Sequence, residues 1–245
     1  MNVPSLDDLS VKQLGKMNKA GDKILDCYRV LQKSSSNVVA EVLNGQGEFV
    51  EFDHYPDGDV YDSETHSQFY YHSHRDNGVE HGHFHTFLRQ AGMPDNMRPI
   101  EQSHEKYMDE RDDQLSHLIA ISMNPAGYPI GLFAVNRWVT AENWYKADDV
   151  IHMLNRFDID LSYPSWASNI WLTAMVILFR PQIEALIRDR DLTVQEWPKK
   201  NKTKDVFEDR KLELTGYLDI AVEQQITDVR DALDRKKTTL RQAIS

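Results

Sequence analysis

The sequence is short of cysteine, of positive charge and of long apolar runs. Cys27 is the only cysteine in 245 residues. An intrachain disulfide and a cluster of thiolate ligands are therefore excluded, and any metal here must use nitrogen and oxygen donors. Lys and Arg number 28 against 39 Asp and Glu, a formal net charge of −11. That balance disfavours duplex nucleic acid as a partner, because phosphate binding calls for surplus cations. The one dense basic cluster, Lys199, Lys200, Lys202 and Lys204 beside Pro198 and Asn201, reads as a solvated loop. The longest apolar stretch, Ile170 to Phe179, is interrupted only by Thr173 and falls far short of the ~20 residues of a membrane span, so no membrane partner is expected. The start Met1-Asn2-Val3-Pro4 lacks a basic segment followed by an apolar one, so no secretory signal is expected and the cytoplasm is the expected location.

What is present is an ordinary globular balance, 40% hydrophobic and 27% charged, with enough chain for a sizeable core. The expected organisation is a single domain over 1–245. Residues 1–33 read as an N-terminal helix: Ser5 and Asp8 have the form of a capping box, and Leu14, Met17, Ala20, Ile24, Tyr28 and Leu31 recur every three or four residues. Residues 38–43 are apolar but too short to assign. Asn44-Gly45-Gln46-Gly47 reads as a turn, the alternation over 48–52 predicts a strand, and His54-Tyr55-Pro56-Asp57-Gly58-Asp59 has turn chemistry. The neighbouring acidic residues Asp53, Asp57, Asp59, Asp62 and Glu64 fit that turn-rich loop, without the spacing of a calcium loop. Strand-like runs cover 68–75 and 79–88 around Asn77-Gly78, and Leu115–Met123 and Ile130–Trp138 around Asn124-Pro125-Ala126-Gly127. The fold class is α+β, with an antiparallel sheet of at least four strands within 48–140.

Residues 141–245 read as helical. A helix is expected over 142–156, and Pro164-Ser165 opens a long apolar one that Pro181 should kink. In the last helix Val222, Ile226, Val229 and Leu233 form a narrow seam, suited to docking on the body or to pairing with a second copy of the chain as a homo-oligomer. Helices from both termini are thus expected to cover the sheet.

Six of the ten histidines fall between positions 66 and 85, five of them at alternate positions: His72, His74, His81, His83 and His85. Side chains in a strand alternate between faces, so each set shares one face. If Asn77-Gly78 is a two-residue turn, His74 opposes His81, His72 opposes His83 and Tyr70 opposes His85. Five imidazoles then share one face, while Arg75 and Glu80 pair on the other. A one-residue slip would separate the two histidine sets.

Neutral imidazole is the commonest ligand for several transition metals, and adjacent imidazoles without a metal repel one another once protonated. The five histidines are candidate ligands for zinc or iron, with Tyr70, His117 and Arg137 as candidate bordering residues. The expected function is metal binding, as a hydrolase or oxygenase acting on a small polar substrate. Metal-free histidine catalysis and a non-catalytic metal-binding or structural module are the alternatives.

His81-Gly82-His83-Phe84-His85-Thr86-Phe87 resembles the histidine-triad signature of enzymes acting on nucleotide phosphates. The resemblance implies a nucleotidyl hydrolase or transferase with His83 as nucleophile, although Gly82 and Thr86 stand where that signature is apolar. His72-x-His74 followed by Glu80 resembles the first cupin metal motif, with a longer gap to the glutamate. The strings from His54 to Asp62 and from Glu80 to Arg89, with Asn136-Arg137-Trp138-Val139-Thr140, resemble an uncharacterised bacterial domain-of-unknown-function family, which implies no activity.

Overall fold

The computed structural model describes residues 1–74, 78–101 and 114–244. Helix α1 (Val11–Gln32) is capped by Ser10, not by Ser5: the Ser10 hydroxyl accepts from the Gln13 N–H and the Gln13 side chain accepts from the Ser10 N–H. Ser5 caps only a single 3-10 turn, Leu6–Asp8. Glutamine reaches back to the cap backbone and aspartate is too short to, which is why the later pair forms the reciprocal box. The α1 positions expected to face inward are buried, apart from the half-buried Tyr28, whose hydroxyl accepts from the Trp171 indole N–H at 3.1 Å.

The apolar 38–43 stretch is helix α2 (Val38–Leu43), started by Asn37, whose side chain accepts from the N–H groups of Val39 and Ala40. The strand expected over 48–52 does not form, and those residues are a loop. The strand lies instead in the stretch with turn chemistry, as β1 (Tyr55–Tyr61). As an edge strand β1 tolerates Pro56, which has no N–H to donate. Gly58 and Asp59 take positive φ, and the pairing jumps from Tyr55↔Tyr71 to Val60↔Phe69. The turn residues therefore build a wide bulge inside the strand.

The sheet continues through β2 (Ser67–His72), β3 (Gly82–Arg89), β4 (Leu115–Met123), β5 (Pro129–Val135) and β6 (Leu214–Asp219). The order β1-β2-β3-β4-β5-β6 is antiparallel throughout, a six-stranded meander. Strand β6 lies outside the predicted sheet region, because its mixed burial gives no clear period-two signal. Strand β5 ends at Val135, and Arg137–Thr140 forms the short helix α3 capped by Asn136.

One face of the sheet (Phe69, Tyr71, Phe84, Leu88, Ile119, Ile121 and Leu132) joins the helices in the main core, and Phe84 meets Trp171 at 5.7 Å between ring centroids. That tryptophan is on α5 (Trp166–Leu178). The helix expected over 142–156 is only α4 (Ala147–Met153), preceded by buried extended chain in which Trp144 bridges to Glu101. Helices α5 and α6 (Arg180–Lys200) meet at a 72° bend. Pro181 stands in the first turn of α6, where a missing N–H costs nothing, so the expected kink is a break between two helices. Among the described residues no single helix is long and apolar enough to cross a membrane.

The seam of α7 (Val222–Ile244) is buried against α1. Ile226 packs so close to Gly21 that a methyl there would lie 2.8 Å from it, and Arg230 pairs with Asp22 at 2.7 Å. Both termini are thus helical and pack on each other, within the core they share with the sheet.

Candidate metal centre

The second sheet face carries the histidines. Arg75, Asp76 and Asn77 lie outside the described residues, so the predicted two-residue turn is not described. The register it predicted is observed: His72 opposes His83 and Tyr70 opposes His85, with Gln68 opposite Phe87 further along. Strand β4 then sets Ser122 beside His83 and Ala120 beside His85. Antiparallel partners share a face.

His72, His83 and His85 are buried, and one ring nitrogen from each lies within 4.8 Å of the other two. The three could hold a metal ion. The Nε2 atoms of His72 and His83 are 2.8 Å apart, and the His83–His85 ring centroids are 4.8 Å apart. Two nitrogens on one tetrahedral zinc stand about 3.3 Å apart at ~2.05 Å from the metal, so a small ring rotation converts the hydrogen bond into a ligand pair. His74 is half-buried at the rim, its ring 5.0 Å from those of both His72 and His83.

Glu80 and His81 exchange the faces that simple alternation gives them. The His81 Nδ1 lies 2.6 Å from the Tyr71 hydroxyl, among the main-core side chains, and its ring stacks on Phe49. Burial pushes the Tyr71 hydroxyl up and the His81 imidazole down, so tyrosine donates and the neutral imidazole accepts. Glu80 takes the inward place: its Oε1 lies 2.6 Å from His83 Nδ1, and its Oε2 accepts from the Ser122 hydroxyl at 2.5 Å. The physical reason is that β3 begins only at Gly82, and alternation holds only where a residue is in the ladder. His81 therefore stands apart from the predicted five, and the His81-Gly82-His83-Phe84-His85 string does not put three imidazoles on one face. Glu80, placed with Arg75 by the alternation argument, orients a candidate ligand.

Gly82 permits this exchange. A Cβ there would lie 2.5 Å from the His72 carbonyl oxygen and 2.6 Å from the Tyr71 hydroxyl. The G82A variant is expected to force β2 and β3 apart, lowering stability by about 1–3 kcal/mol, as overpacking does, and metal affinity with it. Urea unfolding and metal titration of the variant check both effects.

The set extends along the sheet. His117 Nε2 lies 3.0 Å from His85 Nδ1. Burial, assisted by the charges of Arg190 and His83, lowers the His117 pKa to about 3. A neutral His117 can accept from His85 Nδ1, which leaves the His85 Nε2 lone pair for a metal. The main-chain N–H of His117 donates to Glu142 Oε2 at 2.7 Å. Burial raises the Glu142 pKa to about 7 against the pull of Arg190 and that hydrogen bond. Tyr70 is buried, with its ring 5.2 Å from those of His72 and His85. On its other side stacks His54, at 3.6 Å between centroids, with Asp59 3.1 Å from its Nδ1. Arg137 is the first residue of α3, bonded to Glu208 at 2.6 Å and over the Phe207 ring.

Sequence reasoning missed Glu80, Ser122, His54 and Glu142 as parts of this array. The cupin-like His72-x-His74…Glu80 spacing was the one available signal for Glu80. Ser122 and Glu142 carry no local signal, since each meets the site across the sheet or from a loop.

The family model described as Domain of unknown function (DUF6969) matches residues 18–220. The chain belongs to this family. No curated protein and no solved structure matches it. The DUF6969 span includes the whole histidine array and Glu142, whereas all of α7 lies beyond it.

Proposed function

We propose that this DUF6969 protein is a transition-metal-dependent enzyme, using zinc or iron at His72, His83 and His85 to act on a small molecule as a hydrolase or oxygenase. The observation that carries this reading is the convergence of three buried imidazoles, one of them hydrogen-bonded to a buried carboxylate. A carboxylate on the far nitrogen of a histidine fixes its tautomer and raises its basicity as a ligand, which is the usual support of a metal-binding imidazole. The donor set suits zinc or iron, since all the donors are nitrogen and no thiolate is present. Three protein ligands leave a coordination position for water or substrate, whereas purely structural zinc sites are closed by four. When bound, the ion would supply Lewis acidity, polarising a water or a substrate oxygen. Glu80 and His117 would hold the imidazoles, and Tyr70 would wall the cluster on the β1 side.

Elemental analysis of the protein purified without a histidine tag tests the reading. About one equivalent of zinc or iron per chain is expected, as for a dedicated site. Less than about a tenth of an equivalent, unchanged after adding either metal, would remove it.

A further inference from the structure

Beside the imidazoles lies an exposed aromatic side chain outside the main core. The loop between α2 and β1 carries Phe49 and Phe52, which are 37% and 69% exposed. Single exposed apolar residues are ordinary, but Phe52 borders the histidine array, whereas Phe49 meets His81 on the main-core side. Phe52 stacks on His74, with centroids 5.7 Å and planes 16° apart. Phe49 stacks on His81 at 5.3 Å. The His74 ring is itself 5.0 Å from the rings of His72 and His83, so a single imidazole separates Phe52 from two of the candidate ligands.

The backbone at Phe52 is unusual as well. Its φ is +69°, a left-handed conformation that a bulky residue seldom adopts, and its N–H donates to the Ser73 carbonyl at 2.9 Å. The strain is held by a bond to the residue just after β2, since Ser73 lies between His72 and His74. Strain of this kind collects at ligand clamps. A phenylalanine pinned beside a candidate metal centre, with most of its ring surface in water, is placed for a ligand and not for packing.

We infer that Phe52 is the specificity-determining residue of the site, and that the substrate carries a planar apolar group joined to a metal-binding oxygen or nitrogen head. The inference rests on the proposed metal centre. The head reaches the ion while the planar group lies against Phe52, and the contact discriminates between substrates that share a head. This refines the small polar substrate expected from the sequence into one with a polar end and a flat apolar body.

Two hydroxamates with the same chelating head separate the parts. Acetohydroxamate and benzohydroxamate are titrated against the full-length zinc-loaded protein and its Phe52→Ala variant. Benzohydroxamate is expected to bind about tenfold more tightly than acetohydroxamate to the parent protein, a fair yield for one added aromatic contact. Phe52→Ala should reduce that preference to within about threefold and leave acetohydroxamate unchanged, since an exposed side chain is removed without disturbing the core. Equal binding of the two, or a preference that survives the substitution, overturns the role of Phe52 while leaving the metal centre standing. Failure to load zinc or iron overturns the metal centre and the inference together. A loaded protein that binds neither hydroxamate has a closed coordination sphere, and then the inference fails and the metal is not catalytic.

Discussion

Alanine in place of His83 is expected to empty the centre. His83 is the hub of the array: it faces His72 across the β2–β3 ladder, neighbours His85 along β3 and bonds to Glu80 through its other nitrogen. Its loss removes one of three donors and takes from Glu80 its imidazole partner, so metal content should fall from about one equivalent to background. Because removing one partner of a buried charge is itself destabilising, Glu80→Gln is the companion variant. Glutamine keeps a side-chain acceptor for the His83 N–H and lacks the charge. Its metal affinity should drop by roughly 10–100-fold with the fold retained, which is the usual cost of losing such an outer partner. Competition titration against a chelator measures both. A His83→Ala protein that is folded by circular dichroism and still binds a full equivalent would show that the metal lies elsewhere.

The second large effect concerns pH. Burial raises the Glu142 pKa from its ordinary 4.5 to about 7. Between those two values the folded chain holds a proton that the unfolded chain has released, so this group's contribution to stability is present below pH 4.5 and is lost as pH rises towards 7. The difference corresponds to roughly 3 kcal/mol at pH 8. Glu142→Gln carries no titrating proton and its amide oxygen can still accept from the His117 N–H. The variant should therefore gain stability relative to the parent as pH rises from 5 to 8, by about 2–3 kcal/mol. Whatever constant cost the amide brings cancels from that slope. Denaturant unfolding of both proteins at the two pH values gives the answer, and parallel pH profiles would show that Glu142 is ionised at neutral pH. His117 acts in the opposite sense, since its lowered pKa makes stability fall as pH drops from 6.5 towards 3. It does so in both proteins and leaves their difference untouched.

The apolar spacing of α1 and α7 was readable because both are amphipathic, with one buried stripe and one wet face. The strands β2, β3 and β4 were readable as apolar runs, although the core and the histidine array bury them on both faces. Elements of ambiguous chemistry went the other way. Pro56, Gly58 and Asp59 have turn propensity, yet the pairing of β1 with β2 outweighs it and keeps them as a bulge. The alternating 48–52 stretch has no strand beside it and stays a loop.

The site divides along the same line. Period-two alternation and the register of β2 against β3 were enough to set His72 opposite His83 and Tyr70 opposite His85, because those residues lie within a regular ladder. The sequence by itself thus determined that several imidazoles share a face. Only the tertiary structure decided that His81 turns to Tyr71 while Glu80 turns to His83, since both residues precede the first ladder position of β3, where the pleat no longer dictates direction. It likewise decided that His117, Ser122 and Glu142 support the cluster, for each meets its partner across 25 to 42 residues of chain, a separation that local spacing does not encode.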